Sequence, residues 1–343
     1  MIRLIIKREL FAHLHSFTFW LLLATVHGIT AWLLFAQLDA YQEISAQLIA
    51  AQSSLGINDL VIAPTLNSLG ILMLLCTPLL VMHALADENH SGHLKVLLST
   101  PLTASQLLIG KWLGNTLAAL LLLTVGTLIP LTLITGTQID LQRLAISSQG
   151  LILMVCMASA ITLMFSSYSR HAATAFAAST GALLLLWLLD SLIPPDAAGY
   201  WLAINPHLQQ TNNGSLSLMN VGYFVLCTTT ALLIAGIGLS QARSPRRNGA
   251  FRLSVFALLA IACAVTTGAL LERYNQPLAQ AHSVQISDSL KQTLDALEGP
   301  VVITAFAPEL TLLRKRIDKL VTPLQQHYRQ LELRYIDPQK QPH

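Results

Sequence analysis

Long apolar runs separated by short polar stretches fill the first 271 positions of the chain. A bilayer core about 30 Å thick takes about 20 residues of helix. Seven runs meet or approach that length: 17–36, 65–86, 112–135, 151–165, 172–192, 221–239 and 253–271. The fourth is short, although Gly150 and the serines before it allow an extension. Pro78 and Pro130 fall inside runs, where kinks are predicted rather than breaks, because neighbouring helices satisfy the freed carbonyls. Ahead of the first run, Ile2, Ile5, Ile6, Leu10, Leu14 and Phe17 recur at helical spacing, with Arg3, Lys7 and Arg8 on other faces. That pattern predicts an amphipathic helix over 1–16, lying in the membrane interface against lipid headgroups.

After position 271 the period changes. Val284 and Ile286 predict a strand, and a helix follows from Asp288 to about Leu297. Glu298-Gly299-Pro300 is a turn before an apolar strand, Val301–Phe306. Leu310, Leu313, Ile317, Leu320, Val321, Leu324 and Tyr328 mark one face of a second helix. Leu331, Leu333 and Tyr335 then alternate with Glu332 and Arg334 in a final strand. The βαβαβ order predicts a small, partly parallel sheet within 272–343.

Composition sharpens this division. Of 343 residues, 53% are hydrophobic and 11% charged, against about 25% charged in soluble chains. Residues 1–271 hold 11 Lys+Arg and 9 Asp+Glu, whereas 272–343 hold 9 and 8. The predicted fold class is an all-α polytopic membrane protein, with six core helices, a seventh, and a small C-terminal α/β segment. A formal charge of +3 gives no reason to expect a nucleic-acid partner. Cys76, Cys156, Cys227 and Cys263 fall in separate apolar runs without CxxC spacing, so no disulfide framework or zinc site is indicated.

Orientation follows from Lys and Arg in short loops. With the N-terminus inside, Arg3, Lys7, Arg8, Lys95, Lys111, Arg170, Arg243, Arg246, Arg247 and Arg252 are cytoplasmic, the last four around a basic linker over 240–252. Only Arg143 and Arg273 lie outside. Seven crossings then carry the tail to the outer face, which is the periplasm of a bacterial inner membrane.

The loop between the second and third runs carries the most specific signal, "DENHSGHLKVLLSTPLTASQLLIGKW" from Asp87 to Trp112. Leu94, Leu97 and Leu98 form one side of a short amphipathic helix, Pro101 stops it, and Thr103 or Ser105 can cap the next. An apolar ridge held at the membrane surface suits docking into a partner's cleft. The run resembles the acidic–x3–Gly–x4–Leu–Leu–Ser–x–Pro…Gly–Lys signature of ABC-2 type transporter permeases. Glu88, Gly92, Leu97, Leu98, Ser99, Pro101, Gly110 and Lys111 match it in order, while His93 stands where the family usually has Thr or Ser. The resemblance implies that this loop, Leu94 included, is a coupling helix seated on a separate ABC ATPase subunit. It implies that ATP and Mg bind that subunit and that this chain binds no cofactor. Gly110-Lys111 cannot form a phosphate loop, because Ser105 and Trp112 stand where such a loop requires Gly and Ser or Thr.

Two further resemblances lie outside that loop. Residues 202–225, with Pro206, His207, Gly214, Tyr223 and Phe224 in order, resemble the segment before the last core helix in permeases related to gliding motility and nitrous-oxide-reductase maturation. Pro206 and Asn213-Gly214 mark turns, and the segment could dip back into the outer leaflet. The tail, from "ISDSLKQTLDALEGPVVITAF" to Asp337-Pro338, resembles the start of the periplasmic domain of the gliding-motility auxiliary subunit. That domain runs on further in its family, so the resemblance implies a fragment completed by such a subunit across an exposed sheet edge.

Among ionisable residues within the membrane, His27 and Asp190 are candidates for lining a route. His83, His90 and His93 are closely spaced but lack a chelating pattern, so no metal site is expected. No nucleophile–base set or paired inward carboxylates appear, so no catalytic residue is assigned. The predicted function is that of a permease subunit, paired with a second copy or a sister permease, that couples ATP hydrolysis by its partner to export. The alternatives are a mechanotransmitter acting on periplasmic partners and a membrane scaffold of a motility or secretion complex.

Overall fold

The computed structural model describes residues 1–50, 56–92, 103–137, 139–194, 197–243, 277–280, 301–306, 321 and 331–336. Helix α1 (Ile2–Leu14) is separate from α2 (Phe17–Ala50), the chain turning at His15 and Ser16. The Trp20 indole donates to the Leu14 carbonyl at 2.8 Å, which satisfies one of the acceptors that the end of α1 leaves open. A π-helical turn, Asn58–Ile62, leads into α3 (Ala63–Val81), where Pro64 lacks the N–H that would extend an ordinary α ladder. Next come α4 (His83–Ser91), α5 (Ala104–Leu128) with a 3-10 turn over Ile129–Thr135, α6 (Leu141–Tyr168) and α7 (Ala172–Leu192). A 3-10 turn at Ala198–Leu202, α8 (Ile204–Asn212), β1 (Ser215–Ser217) and α9 (Leu218–Arg243) follow.

Among the described residues, six helical spans are long and apolar enough to cross a membrane: 17–47, 58–91, 104–134, 141–168, 172–192 and 218–240. The spans built on α3 and α6 are the most enclosed, and their side chains (Leu69, Met73, Leu151, Met154 and Met157 among them) form the centre of the core. Outward positions such as Trp32, Leu188 and Leu233 are exposed apolar residues, as a lipid-facing surface requires.

Several expected boundaries move. The fifth run is a helix over Ala172–Leu192 as expected, but the first continues to Ala50 rather than Ala36, the second begins at Asn58 rather than Thr65, and the third at Ala104 rather than Trp112. The fourth begins at Leu141 rather than Leu151, and the sixth runs Leu218–Arg243 rather than 221–239. The common cause is that polar turns of helix lie beyond the apolar run. In α6 the early turns are covered by other protein, not by lipid: Leu144, Ile146 and Ser147 are buried. The 202–225 segment comprises the end of a 3-10 turn, α8, β1 and the start of α9.

β1 pairs antiparallel with β2 (Pro277–Gln280), Ser215 opposite Gln280, with a register shift after Leu216. In the second compact unit, 282–343, β3 (Val301–Phe306) and β4 (Leu331–Ile336) pair in parallel, Val301 opposite Leu331. Ile303, Ala305, Leu333 and Tyr335 lie on the half-buried face and Val302, Thr304, Glu332 and Arg334 are exposed. The expected run 253–271, the strand at Val284 and Ile286 and most of both tail helices lie outside the described residues.

Candidate functional site

The two ends of the bundle each carry a polar cluster. At the end shared by α1, α4 and the start of α5, the centre is Lys111, 2% exposed. Its Nζ donates to Glu88 Oε1 at 2.8 Å, to Glu9 Oε1 at 3.0 Å and to the Ala84 carbonyl at 2.8 Å. All three ammonium donors are used, which is what makes so deep a charge tolerable. One residue of α5 thus ties α1 and α4 to the core. One helical turn along, the Asn115 amide donates to the Lys111 carbonyl at 2.7 Å and its Oδ1 meets His13 Nε2 at 2.8 Å.

Close backbone approach makes that tie possible. Gly110 and Gly114 lie one turn apart on α5, under α1. A Cβ at Gly110 would stand 2.9 Å from Ile5 Cβ, and one at Gly114 would stand 2.7 Å from Glu9 Cβ. Small residues four apart let two helices touch. The start of α5 is fixed by a capping box, with Gln106 N donating to Thr103 Oγ1 at 3.2 Å and Thr103 N to Gln106 Oε1 at 3.4 Å.

α4 is held from the other side by α6. Its N-terminus has no cap of its own. Instead Ser166 Oγ accepts from Leu85 N at 3.1 Å and Ala86 N at 2.9 Å, and donates to the Met82 carbonyl at 2.9 Å. The Asn89 amide donates to the Ser167 and Ser169 carbonyls at 3.0 and 3.2 Å. α4 ends at Gly92, whose φ of 74° is the left-handed turn that glycine enters at little cost.

Of the predicted coupling residues, Glu88 and Lys111 are therefore in direct contact, Gly92 terminates the helix carrying Glu88, and Gly110 packs under α1. Leu94, Leu97, Leu98, Ser99 and Pro101 lie outside the described residues. Glu9, Asn115, His13, Asn89 and Ser166 were not singled out from sequence. For Glu9 the available signal was one acid within a helix whose other charges, Arg3, Lys7 and Arg8, are basic.

The second cluster, at the opposite end, centres on His207 of α8, 4% exposed. Its ring stacks on Tyr223 at 4.2 Å and 15°, with Trp201 and Phe224 edge-on around the pair. His207 Nε2 lies 3.0 Å from the Trp201 carbonyl, so it carries a proton. Burial pushes the imidazole below its ordinary 6.5, against the opposing pull of Asn220 and the Trp201 carbonyl. His207 Nδ1 lies 2.9 Å from Asn220 Oδ1, so the amide braces the ring from the side opposite the Trp201 carbonyl. The Tyr223 hydroxyl donates to the Leu202 carbonyl at 2.8 Å. Thr211 is seated on Gly150, where any Cβ would clash with its side chain. Arg143 joins three segments here, bonding Asp59 Oδ1 at 2.6 Å and the Asn212 carbonyl at 2.8 Å.

His207 and Tyr223 are thus brought together as the sequence order suggested. Pro206 falls in the first turn of α8, and Gly214, at φ 78°, makes the turn into β1. The candidate route residues stand apart from both clusters. Asp190 accepts from the Asn205 amide at 2.7 Å, which ties the end of α7 to α8. His27 bonds the Leu23 carbonyl of its own helix through Nδ1, and its buried Nε2 has no partner among the described residues. His83 pairs with Asp87 at 2.9 Å and the His90 ring lies 5.0 Å from that of His171. No group of three or more potential metal ligands occurs among the described residues.

The family profile described as ABC-2 family transporter protein matches residues 5–212, more than half of the chain. Comparison with curated proteins finds no match. The match begins within α1, and it spans both the Lys111 tie and the His207 helix. With six helices able to cross a membrane, the chain belongs to the ABC-2 family, as the multi-pass permease subunit of an ABC transporter that partners an ABC ATPase subunit.

Proposed function

We propose that the chain couples ATP hydrolysis by its ATPase partner to export across a bacterial inner membrane, with its N-terminus cytoplasmic and the 272–343 tail periplasmic. The observation that carries this reading is the Glu9–Lys111–Glu88 tie. α4 leads into the segment proposed to dock on the ATPase, and a force applied there meets a helix locked to α1, α5 and α6. Leu94, Leu97 and Leu98 supply the docking ridge, with Ser99 and Pro101 ending it. A second copy or a sister permease completes the route, and His27 and Asp190 are candidates for lining it.

The topology of β2 supports the placement of the tail. α9 leaves β1 and, at 26 residues and about 1.5 Å per residue, is long enough to cross a bilayer. β2 lies beside β1, the strand from which α9 starts, and that supports the proposed second crossing at 253–271.

The test is co-purification of the full chain with its ATPase in lipid nanodiscs, with ATP hydrolysis followed, for the wild type and Leu97→Asp. Association that is lost in the variant supports coupling through this loop. No association with either form rejects it and favours the membrane scaffold. A second reading, mechanotransmission to a periplasmic partner such as a gliding-motility-like auxiliary subunit, draws on the β1–β2 pairing. That pairing joins the start of the tail to the segment carrying His207. ATP-dependent movement of the tail without substrate flux in sealed vesicles supports it, and flux rejects it.

A further inference from the structure

The apolar stripe of α1 is spent on protein. Ile5, Leu10 and Leu14 pack against the core, with Ile5 over Gly110 and the Ile6 carbonyl and Glu9 over Gly114. The opposite face of the helix looks outward, and the helical repeat gathers Arg3, Leu4, Lys7 and Phe11 on it, all four exposed. Arg3 and Lys7 make no salt bridge among the described residues. The first turn of α1 holds no acid, and its one acid, Glu9, is held inward by Lys111. Like charges at this spacing repel along a helix, so the face carries a charge that an external anion would balance. Phe11 is fixed beside it, with Lys7 Nζ 5.6 Å from its ring centroid and the His15 ring stacked on it at 5.9 Å. Just beyond the turn, Phe17 and Trp20 are exposed at the start of α2, and the Trp20 indole is tied to the end of α1. A tryptophan at the start of a crossing helix marks headgroup depth, which makes lipid the occupant that this face meets.

We propose that this face of α1 binds an anionic phospholipid of the phosphatidylglycerol type. Arg3 and Lys7 hold the phosphate, and Leu4 and Phe11 lie against the upper acyl chains. Arg8 is set apart, because it borders a cavity that Glu9, Asp87 and Glu88 also line, where the carboxylates oppose an anion. A choline or ethanolamine headgroup brings its own cation to Arg3 and Lys7 and gains less from them. Since Glu9 ties the same helix to Lys111, the bound lipid anchors the Lys111 cluster to the membrane surface. The inference rests on the chain being a multi-pass membrane protein and not on ATPase coupling, so loss of ATPase association leaves it standing.

The experiment is native mass spectrometry of the full chain with phosphatidylglycerol, phosphatidylcholine and phosphatidylethanolamine of matched acyl chains. One Lys or Arg near an anionic surface is worth about fivefold, so two predict about twentyfold preference for the glycerol lipid over either zwitterion. Raising the salt narrows that preference. Arg3→Gln combined with Lys7→Gln, at exposed positions that hold no other helix in place, brings it near parity, whereas Arg8→Gln keeps most of it. Equal retention of the three lipids by the wild type, or a preference that follows Arg8 instead of Arg3 and Lys7, overturns the proposal. Displacement by soluble glycerophosphoglycerol at the lipid's own concentration does so too, by identifying a free phosphate compound as the ligand. A preference that disappears when the ATPase subunit is bound also overturns it, by identifying that protein as the cover of this face.

Discussion

Replacing Lys111 by Met keeps most of the side-chain volume but removes the charge at the centre of its cluster. Glu9 and Glu88, each 13% exposed at the side chain, then face one another without their cation, and the Ala84 carbonyl loses its donor at 2.8 Å. Breaking a buried ion pair from one side costs about 3–5 kcal/mol. The partial exposure of both carboxylates puts the expected loss at the lower end, about 3 kcal/mol. For a chain of this size that corresponds to a fall of about 5 °C in the unfolding midpoint. The midpoint can be followed by tryptophan fluorescence in detergent at fixed scan rate, since the chain has 5 Trp and irreversible unfolding makes the rate matter. Glu9→Gln should cost less, about 1 kcal/mol, because Lys111 keeps Glu88. The decisive comparison is the triple variant Lys111→Met, Glu9→Gln, Glu88→Gln. Removing all three charges together should recover much of the loss, because the penalty comes from unpaired carboxylates. A triple variant no more stable than Lys111→Met alone would refute the electrostatic reasoning and leave side-chain packing as the cause.

Three further outcomes follow from the geometry. Gly114→Leu should detach α1 from α5, since a Cβ there already stands 2.7 Å from Glu9 Cβ and 3.2 Å from the Ile6 carbonyl; protease accessibility of residues 1–16 should rise, while Gly28→Leu, with nothing within 4 Å of its Cβ position, should leave it unchanged. Ser166→Ala should cost about 1–2 kcal/mol in thermal stability, the worth of a helix cap, because Leu85 N and Ala86 N lose an acceptor supplied by another helix. His207 is held below 6.5 in the folded chain, so the unfolded chain binds the extra proton first. Stability is fully present above pH 6.5 and falls as pH drops from there toward the folded-state value, by up to about 1.4 kcal/mol per pH unit. Midpoints measured between pH 8 and 5 should therefore decline more steeply for the wild type than for His207→Gln.

The helices were legible where apolar content alone sets their limits. α7 is mostly apolar and is bounded by Arg170-His171 and Pro194-Pro195, so its limits agree with the pattern. α6 shows why the others moved. Its opening turn, Leu141-Gln142-Arg143-Leu144, looks like surface in sequence, yet Arg143 is consumed by Asp59 and the Asn212 carbonyl. Neighbouring protein replaces lipid there, and hydropathy cannot see which of the two covers a helix. The polar clusters were half legible. The motif around Asp87–Trp112 contained both Glu88 and Lys111, but nothing in a linear pattern says that they touch. Their third partner, Glu9, lies 102 positions from Lys111, and only the glycine seam on α5 brings it within reach. His207 and Tyr223 were noted as ordered matches, whereas their stacking depends on α8 lying across Gly150.

The two clusters share one helix. At one end of α6, Ser166 caps α4 and the Ser167 and Ser169 carbonyls hold Asn89. At mid-length, Ser159 bonds Thr116 at 2.7 Å and the Trp112 indole at 3.1 Å. At the other end, Arg143, Ser147 and Gly150 hold Asp59 and α8. These bonds lie in an apolar interior, where a polar group left without a partner costs about 1–3 kcal/mol. Sliding α4 or α8 against α6 would strand several at once, whereas tilting them together keeps the bonds among the three. The cheapest response to a push on α4 is therefore motion of α4, α6 and α8 as one body, with α5 carried along by Lys111 and the Ser159 bonds. That body carries Ser166 at one face and the His207 cluster at the other, so it links the proposed docking segment mechanically to the segment that pairs with the tail.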